Sequence, residues 1–192
     1  MEKRNIITIS GKSGSGKSST AKLIANILGW KHLSSGDIMR KLAREKGLTL
    51  VELIEQAKIH PEIDHQIDET LASKRKETNI VIDSRLAFHW IPNSFKVFLA
   101  IDLETASKRI FSNLKRNALR RASEKEKSLE EVKMSLEERE KNDEERYQRL
   151  YHIRYDDPKN FDLIINTGDP RNNLKVVVEK IVSAYTGWRL NE

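Results

Sequence analysis

The sequence predicts an α/β fold: a parallel β-sheet covered by helices on both faces. Three observations predict it. Short β-branched runs alternate with segments of helical periodicity along the 192 residues. The first run leads directly into Gly11-Lys12-Ser13-Gly14-Ser15-Gly16-Lys17-Ser18, and that glycine-rich loop leads directly into a helical segment. Polar residues follow the ends of the first three runs, where a parallel sheet opens its ligand crevice.

Each element has its own signal. Asn5 to Ser10 is apolar and β-branched, a buried first strand. Ser19 to Leu28 carries Ala21, Leu23, Ile24, Ile27 and Leu28 at helical spacing, and Gly29 suits its C-terminal cap. Trp30 to Leu33 reads as a second strand, followed by Ser34-Ser35-Gly36-Asp37, which can cap a helix over Ile38 to Lys46. Gly47 stops that helix, and Thr49 with Glu52 forms a capping box for another through Ile59. Pro61 opens a helix to about Lys76 with Ile63, Ile67 and Leu71 on one face. Asn79 to Asp83 is the third strand and Phe95 to Ile101 the fourth, with a helix starting at Asp102. From Arg116 to Arg146 charge dominates. Ser128 with Glu131 is a capping box, and Val132 with Leu136 a thin apolar stripe, so a pair of mobile polar helices with little core is expected there. Pro158 breaks the pattern, Phe161 to Asn166 is the fifth strand, and Leu174 to Tyr185 closes the chain as a helix.

The composition bounds the function. Hydrophobic content of 38% and charged content of 33% fit one globular domain with room for an inserted lid. The net charge of +6 comes from basic residues spread among acids, which suits a pocket for polyphosphates better than a nucleic-acid face. Cysteine is absent, which excludes a disulfide framework, a thiolate nucleophile and a cysteine-based zinc site. The five histidines have neither metal-ligand spacing nor an evident nucleophile beside them. No signal peptide or membrane span is visible, so a cytoplasmic monomer is expected, acting on small molecules and binding neither membrane nor nucleic acid.

The loop's residue types have a chemical reason. Gly11, Gly14 and Gly16 let the backbone approach a ligand, and the N–H groups of the loop can then face phosphate oxygens. The positive end of the following helix dipole adds to the attraction. Lys17 should reach the β- and γ-phosphates of ATP, and the Ser18 hydroxyl should ligate Mg²⁺. Asp83 ends the third strand, where a carboxylate either joins the Mg²⁺ shell through water or caps a turn.

The chain also resembles a known family, the nucleoside monophosphate kinases, and within it the archaeal-type cytidylate (CMP/dCMP) kinases. The residues that carry the resemblance are Ile9 to Ser18, Lys31 to Arg40, Pro61 to Asp64, Asp83-Ser84-Arg85-Leu86-Ala87, Arg139-Glu140 with Asp143 and Arg146-Tyr147, and Asp162 to Thr167. The resemblance implies a three-layer P-loop NTPase fold with a five-stranded parallel sheet, and transfer of the γ-phosphoryl of ATP to CMP or dCMP with Mg²⁺. It implies a core of 1–33, 79–115 and 156–192, an NMP-binding insertion over 34–78 and a mobile lid over 116–155. The donor would lie on Gly11, Lys12, Ser13, Gly14, Ser15, Gly16, Lys17, Ser18 and Ser19, with Arg109 against its adenine. Ser35 and Arg40 would contact the acceptor nucleotide, Asp64 its sugar or base, and Arg85 its phosphate. Arg139 and Arg146 would close over both phosphates, with Asp143 contacting the ribose or steadying the arginines. Arg116, Arg120 and Arg121 are either further lid arginines or a solvated helix face. Two features depart from the family pattern: Ser84 stands where glycine is usual, and 117–128 is longer and more basic. Other readings are a kinase for AMP, UMP or a small metabolite, and a nucleotide-dependent RNA-binding or assembly factor.

Overall fold

A computed structural model describes residues 4–116 and 128–190. Its sheet has five parallel strands: β1 (Ile6–Gly11), β2 (Lys31–Ser34), β3 (Ile80–Asp83), β4 (Phe95–Ala100) and β5 (Leu163–Asn166). They lie in the order β2-β3-β1-β4-β5. The helices are α1 (Lys17–Leu28), α2 (Ser35–Glu45), α3 (Leu50–Ile59), α4 (Pro61–Ser73), α5 (Ala87–Trp90), α6 (Leu103–Arg116), α7 (Leu129–Tyr151) and α8 (Leu174–Leu190).

Alternation along the strands divides the core. Ile7, Ile9, Val81, Val97, Leu99 and Ile165 point to one face, where Ala21 and Ile24 of α1 and Val177, Val178 and Ile181 of α8 cover them. Ile6, Ile80 and Ile82 point to the other, against Ile67 and Leu71 of α4 and Ala87 and Ile91 around α5. Burial on both faces explains why these strands read as continuous apolar runs. The register levels their carboxyl ends: Ile9 pairs with Asp83, and Asp83 with Ser34. The segments that follow β1, β2 and β3 therefore leave the sheet side by side, and the Ser10 hydroxyl donates to the carbonyls of Ser84 and Arg85 to hold two of them together.

Glycine is required where β1 meets the loop. Gly11 has φ 141°, and a Cβ there would lie 2.3 Å from the Leu99 carbonyl oxygen. Gly14 has φ 78° and approaches Ala106 of α6, so the loop passes close under that helix.

Most element boundaries agree with the sequence reading, and the differences are physical. Helix α2 starts at Ser35, so Ser35-Gly36-Asp37 form its first turn instead of preceding it. Thr49 and Glu52 make both bonds of the expected capping box. Helix α4 ends at Ser73, and Lys74–Lys76 tighten into a 3₁₀ turn. Helix α5 has one turn, too short for its periodicity to register. Helix α8 continues past Tyr185, because Tyr185 and Trp188 both pack on Phe95. Within the charged region, 129–151 is a single 23-residue helix. Its thin stripe is not idle: Val132 and Leu136 form a satellite core with Ile101, Ala106, Ile110 and Leu114. The segment 117–127, with Arg120 and Arg121, lies outside the described residues.

Leu136 is 6% exposed, so its replacement tests whether α7 is anchored on α6. Leu136→Ala should cost about 2–4 kcal/mol in equilibrium denaturant unfolding. A loosely attached polar helix would show almost none of that loss.

Candidate functional site

The loop 11–18 wraps the N-terminus of α1. Gly16 caps that helix without a side chain, leaving its first N–H groups directed into the loop. The Lys17 ammonium donates to the carbonyls of Gly11 and Lys12, both at 2.7 Å. Burial, with Arg85 nearby, lowers its pKa to about 7, against the opposing pull of Asp83. Arg139 is exposed on α7 but close enough to press in the same direction on that charge. Beside the loop is a cleft of about 400 Å³, lined by Gly14 and Gly16 and by Thr105, Lys108, Arg109 and Asn113 of α6. Arg109 is pinned there by Thr167, donating to both its hydroxyl and its carbonyl.

At the end of β3, burial pushes the Asp83 carboxyl up. Hydrogen bonds from His32, Ser34 and Ser18 outweigh it and hold the group below its ordinary range. The His32 Nε2 lies 3.2 Å from Asp83 Oδ2. A hydroxyl and a carboxylate meeting beside a phosphate loop are hard oxygen donors, the set that suits Mg²⁺ with water completing the shell. Ser18 and Asp83 therefore fit such an ion. Among the described residues no group of three or more His, Asp or Glu could enclose a metal without outside ligands.

Opposite the loop, four charged groups form one chain. Arg85 follows β3, and its guanidinium donates to Asp143 of α7 and, at 2.9 Å, to the Ser13 hydroxyl. The other Asp143 oxygen accepts from Arg146 at 2.8 Å, and Arg146 lies 3.5 Å from Asp64 of α4. Burial pulls both arginines down, but the groups around them outweigh it, with Asp143 raising each one's pKa. Burial raises the Asp64 carboxyl despite Arg146. One turn before Asp143, Glu140 pairs with Lys12 of the loop at 3.2 Å. One face of α7 thus touches the loop, Arg85 and α4.

Lys17, Ser13, Ser18, Asp83, Arg85, Asp143, Arg146 and Asp64 are brought together. Arg109 is on the donor side of the loop. Ser35 is half-buried at the start of α2, but Arg40 is exposed and pairs with Asp37 of its own helix. The side chain of Arg116 lies outside the described residues. The basic run 74–76 is engaged locally: Lys74 pairs with Glu77, and Arg75 donates to the Trp90 carbonyl.

Sequence reasoning missed His32, although a signal existed: it is two residues before Ser34 and shares its face of β2, and Ser34 pairs with Asp83. It also missed Asp68 of α4, which accepts from the Tyr151 hydroxyl. Tyr147 and Tyr155 lie beneath the arginines. Asp64 and Asp68 are one helical turn apart, as are Asp143 and Tyr147, and those spacings were legible as shared faces.

The fold and the loop define a class of protein, the P-loop phosphotransferases with the architecture of small kinases. The shikimate kinase of Bacteroides thetaiotaomicron superposes with a TM-score of 0.64, covering 93% of this chain and 96% of that one, at 14% identity, a likeness of fold alone. In sequence, residues 6–169 match the model of the cytidylate kinase-like family. The cytidylate kinase of Pyrococcus horikoshii is 38% identical over 163 residues, covering 84% of this chain and 79% of the relative. That of Methanothrix thermoacetophila is 36% identical over 178 residues, covering 92% and 97%. The chain belongs to the cytidylate kinase-like family.

Two titrations follow from the geometry. At pH 8 a lysine with a pKa of about 7 is mostly neutral, and phosphate oxygens beside it favour the charged form. ATP binding at pH 8 should therefore take up roughly 0.9 proton per site, and much less at pH 6. Calorimetry in buffers of different ionisation enthalpy measures this, and Lys17→Met should abolish it. Asp68 is pushed up to about 6 by burial, against the Tyr151 hydrogen bond. The native state then holds this proton more tightly than the unfolded chain does, so the group's contribution falls as pH rises from about 4 to 6. The melting temperature of Asp68→Asn, relative to the unmodified chain, should rise across that window and level off above it.

Proposed function

We propose that the chain is a (d)CMP kinase: it transfers the γ-phosphoryl of ATP to CMP or dCMP, giving ADP and CDP or dCDP. The observation that carries this reading, beside family membership, is the pair of arginines bridged by Asp143, Arg85 of which reaches the phosphate loop at Ser13. In the proposed division, 1–33, 79–115 and 156–192 form the core, 34–78 the acceptor-binding insertion and 116–155 the lid.

The residues would work by position and charge, because phosphoryl transfer needs little covalent chemistry from the protein. Loop N–H groups from Gly11 to Ser19 cradle the donor phosphates, and Arg109 lies flat against the donor base. Lys17 exchanges its two carbonyl partners for phosphate oxygens, which favour its charged form. Ser18 would ligate Mg²⁺ and Asp83 would hold its shell through water, with His32 orienting Asp83. When bound, the ion neutralises charge on the β- and γ-phosphates. Arg85 grips the acceptor phosphate, helped from α2 by Arg40 and Ser35, with Asp64 on the sugar or base side. Arg139 and Arg146 stabilise the charge spread over the transferring group, and Asp143 steadies Arg85 and Arg146. The lid over the site would exclude water, so that the phosphoryl group passes to the acceptor and not to water.

ADP release from Mg²⁺-ATP, measured with CMP, dCMP, UMP, AMP, GMP and no acceptor, tests the reading. CMP and dCMP should give the highest kcat/KM. Arg85→Ala should lower kcat/KM for CMP by about 10²–10³-fold, and Lys17→Ala by at least as much. Turnover with AMP alone would keep the kinase and overturn the acceptor. Salt-sensitive RNA binding with no transfer to any nucleotide would overturn both.

A further inference from the structure

Beneath the two arginines lie two tyrosines. The Arg85 guanidinium carbon is 5.8 Å from the centre of the Tyr155 ring, and that of Arg146 is 5.1 Å from the centre of the Tyr147 ring. The rings meet edge to face, 5.9 Å apart at 77°. Tyr155 has no exposed surface, and its ring packs within a cluster that includes Leu86, Phe88 and Phe98. Its hydroxyl has no hydrogen-bond partner among the described residues, and burial raises its pKa. Whatever holds this tyrosine against Arg85 is therefore the ring and not the hydroxyl. Arg85 Nε is likewise buried and has no hydrogen-bond partner among the described residues.

A guanidinium has two ways to be held. Its planar edge carries the N–H donors, and its face carries none. A carboxylate or hydroxyl takes up part of the edge, as Asp143 and Ser13 do for Arg85. An aromatic ring takes the face and leaves the edge to a ligand. We propose that Tyr155 is a positioning residue for acceptor binding: its ring fixes the plane of Arg85 from below, so that the remaining N–H donors meet the acceptor phosphate already oriented. Tyr147 meets Tyr155 edge to face and holds Arg146 in a different way, by its ring and by a hydroxyl that accepts from Arg146 at 3.4 Å. The inference rests on the acceptor role given to Arg85 above.

The test keeps the shape of residue 155 and changes only its electrostatics. Tyr155 is replaced by phenylalanine and then, by nonsense suppression, by 4-fluoro- and 3,4,5-trifluorophenylalanine, which weaken the negative face of the ring stepwise. The KM for the acceptor and for ATP is measured for each, with a thermal transition to show native folding. The acceptor is whichever monophosphate the unmodified chain phosphorylates fastest, so a wrong base assignment shows in that first comparison and not in the series. Tyr155→Phe should stay within about twofold of the unmodified chain, since the hydroxyl bonds nothing. Across the fluorinated series the acceptor KM should rise by roughly tenfold, with the KM for ATP unchanged. An acceptor KM that does not respond to fluorination, or that rises together with the KM for ATP, would overturn the proposal. So would a loss in Tyr155→Phe as large as that in the trifluoro variant.

Discussion

The site depends on one buried carboxylate between two guanidiniums, that of Arg146 buried and that of Arg85 nearly so. Asp143 is 5% exposed and bonds Arg85 with one oxygen and Arg146 with the other. Two arginines could not be buried so close without an anion between them, since each carries an unavoidable charge and a large desolvation penalty. The bridge also joins separate parts of the chain. Arg85 belongs to the segment after β3, Asp143 and Arg146 to α7, Asp64 to α4, and Ser13 to the phosphate loop. Removing the carboxylate would leave Arg85 without its carboxylate partner and Arg146 with Asp64 alone, a class of defect that costs about 3–5 kcal/mol.

The fold supplies the geometry for that bridge through simple means. Parallel pairing in register brings the ends of β1, β2 and β3 level, so the loop, Ser35 and Arg85 emerge together. Glycine at position 11 lets the loop turn where any side chain would strike Leu99. Helix α7 is held twice, by Val132 and Leu136 on α6 and by polar bonds from Glu140 to Tyr151 on the loop and α4. Its apolar end fixes it, and its polar face meets the site. No described helix is long and apolar enough to cross a membrane.

Much of this was legible in the sequence, for reasons that differ by element. The strands are short, apolar and buried on both faces, and the loop's glycines and Lys17 follow a spacing that phosphate geometry demands. Tertiary contacts were less legible. Val132 and Leu136 looked like a thin stripe because their partners, Ile101 to Leu114, lie earlier in the chain than any local period reaches. His32 looked unpartnered because strand register, and not spacing, brings it to Asp83. Nothing in the sequence singled out Tyr155, and Tyr147 entered only beside Arg146 in the family resemblance, because the ring contacts with the arginines come from packing.

Asp143→Asn in steady-state kinetics tests the central claim most directly, because it keeps the shape and removes the charge. If the carboxylate holds the two arginines in place for the acceptor phosphate, the acceptor KM should rise at least tenfold, while the KM for ATP and the far-ultraviolet circular dichroism stay as they were. An acceptor KM equal to that of the unmodified chain would contradict the account.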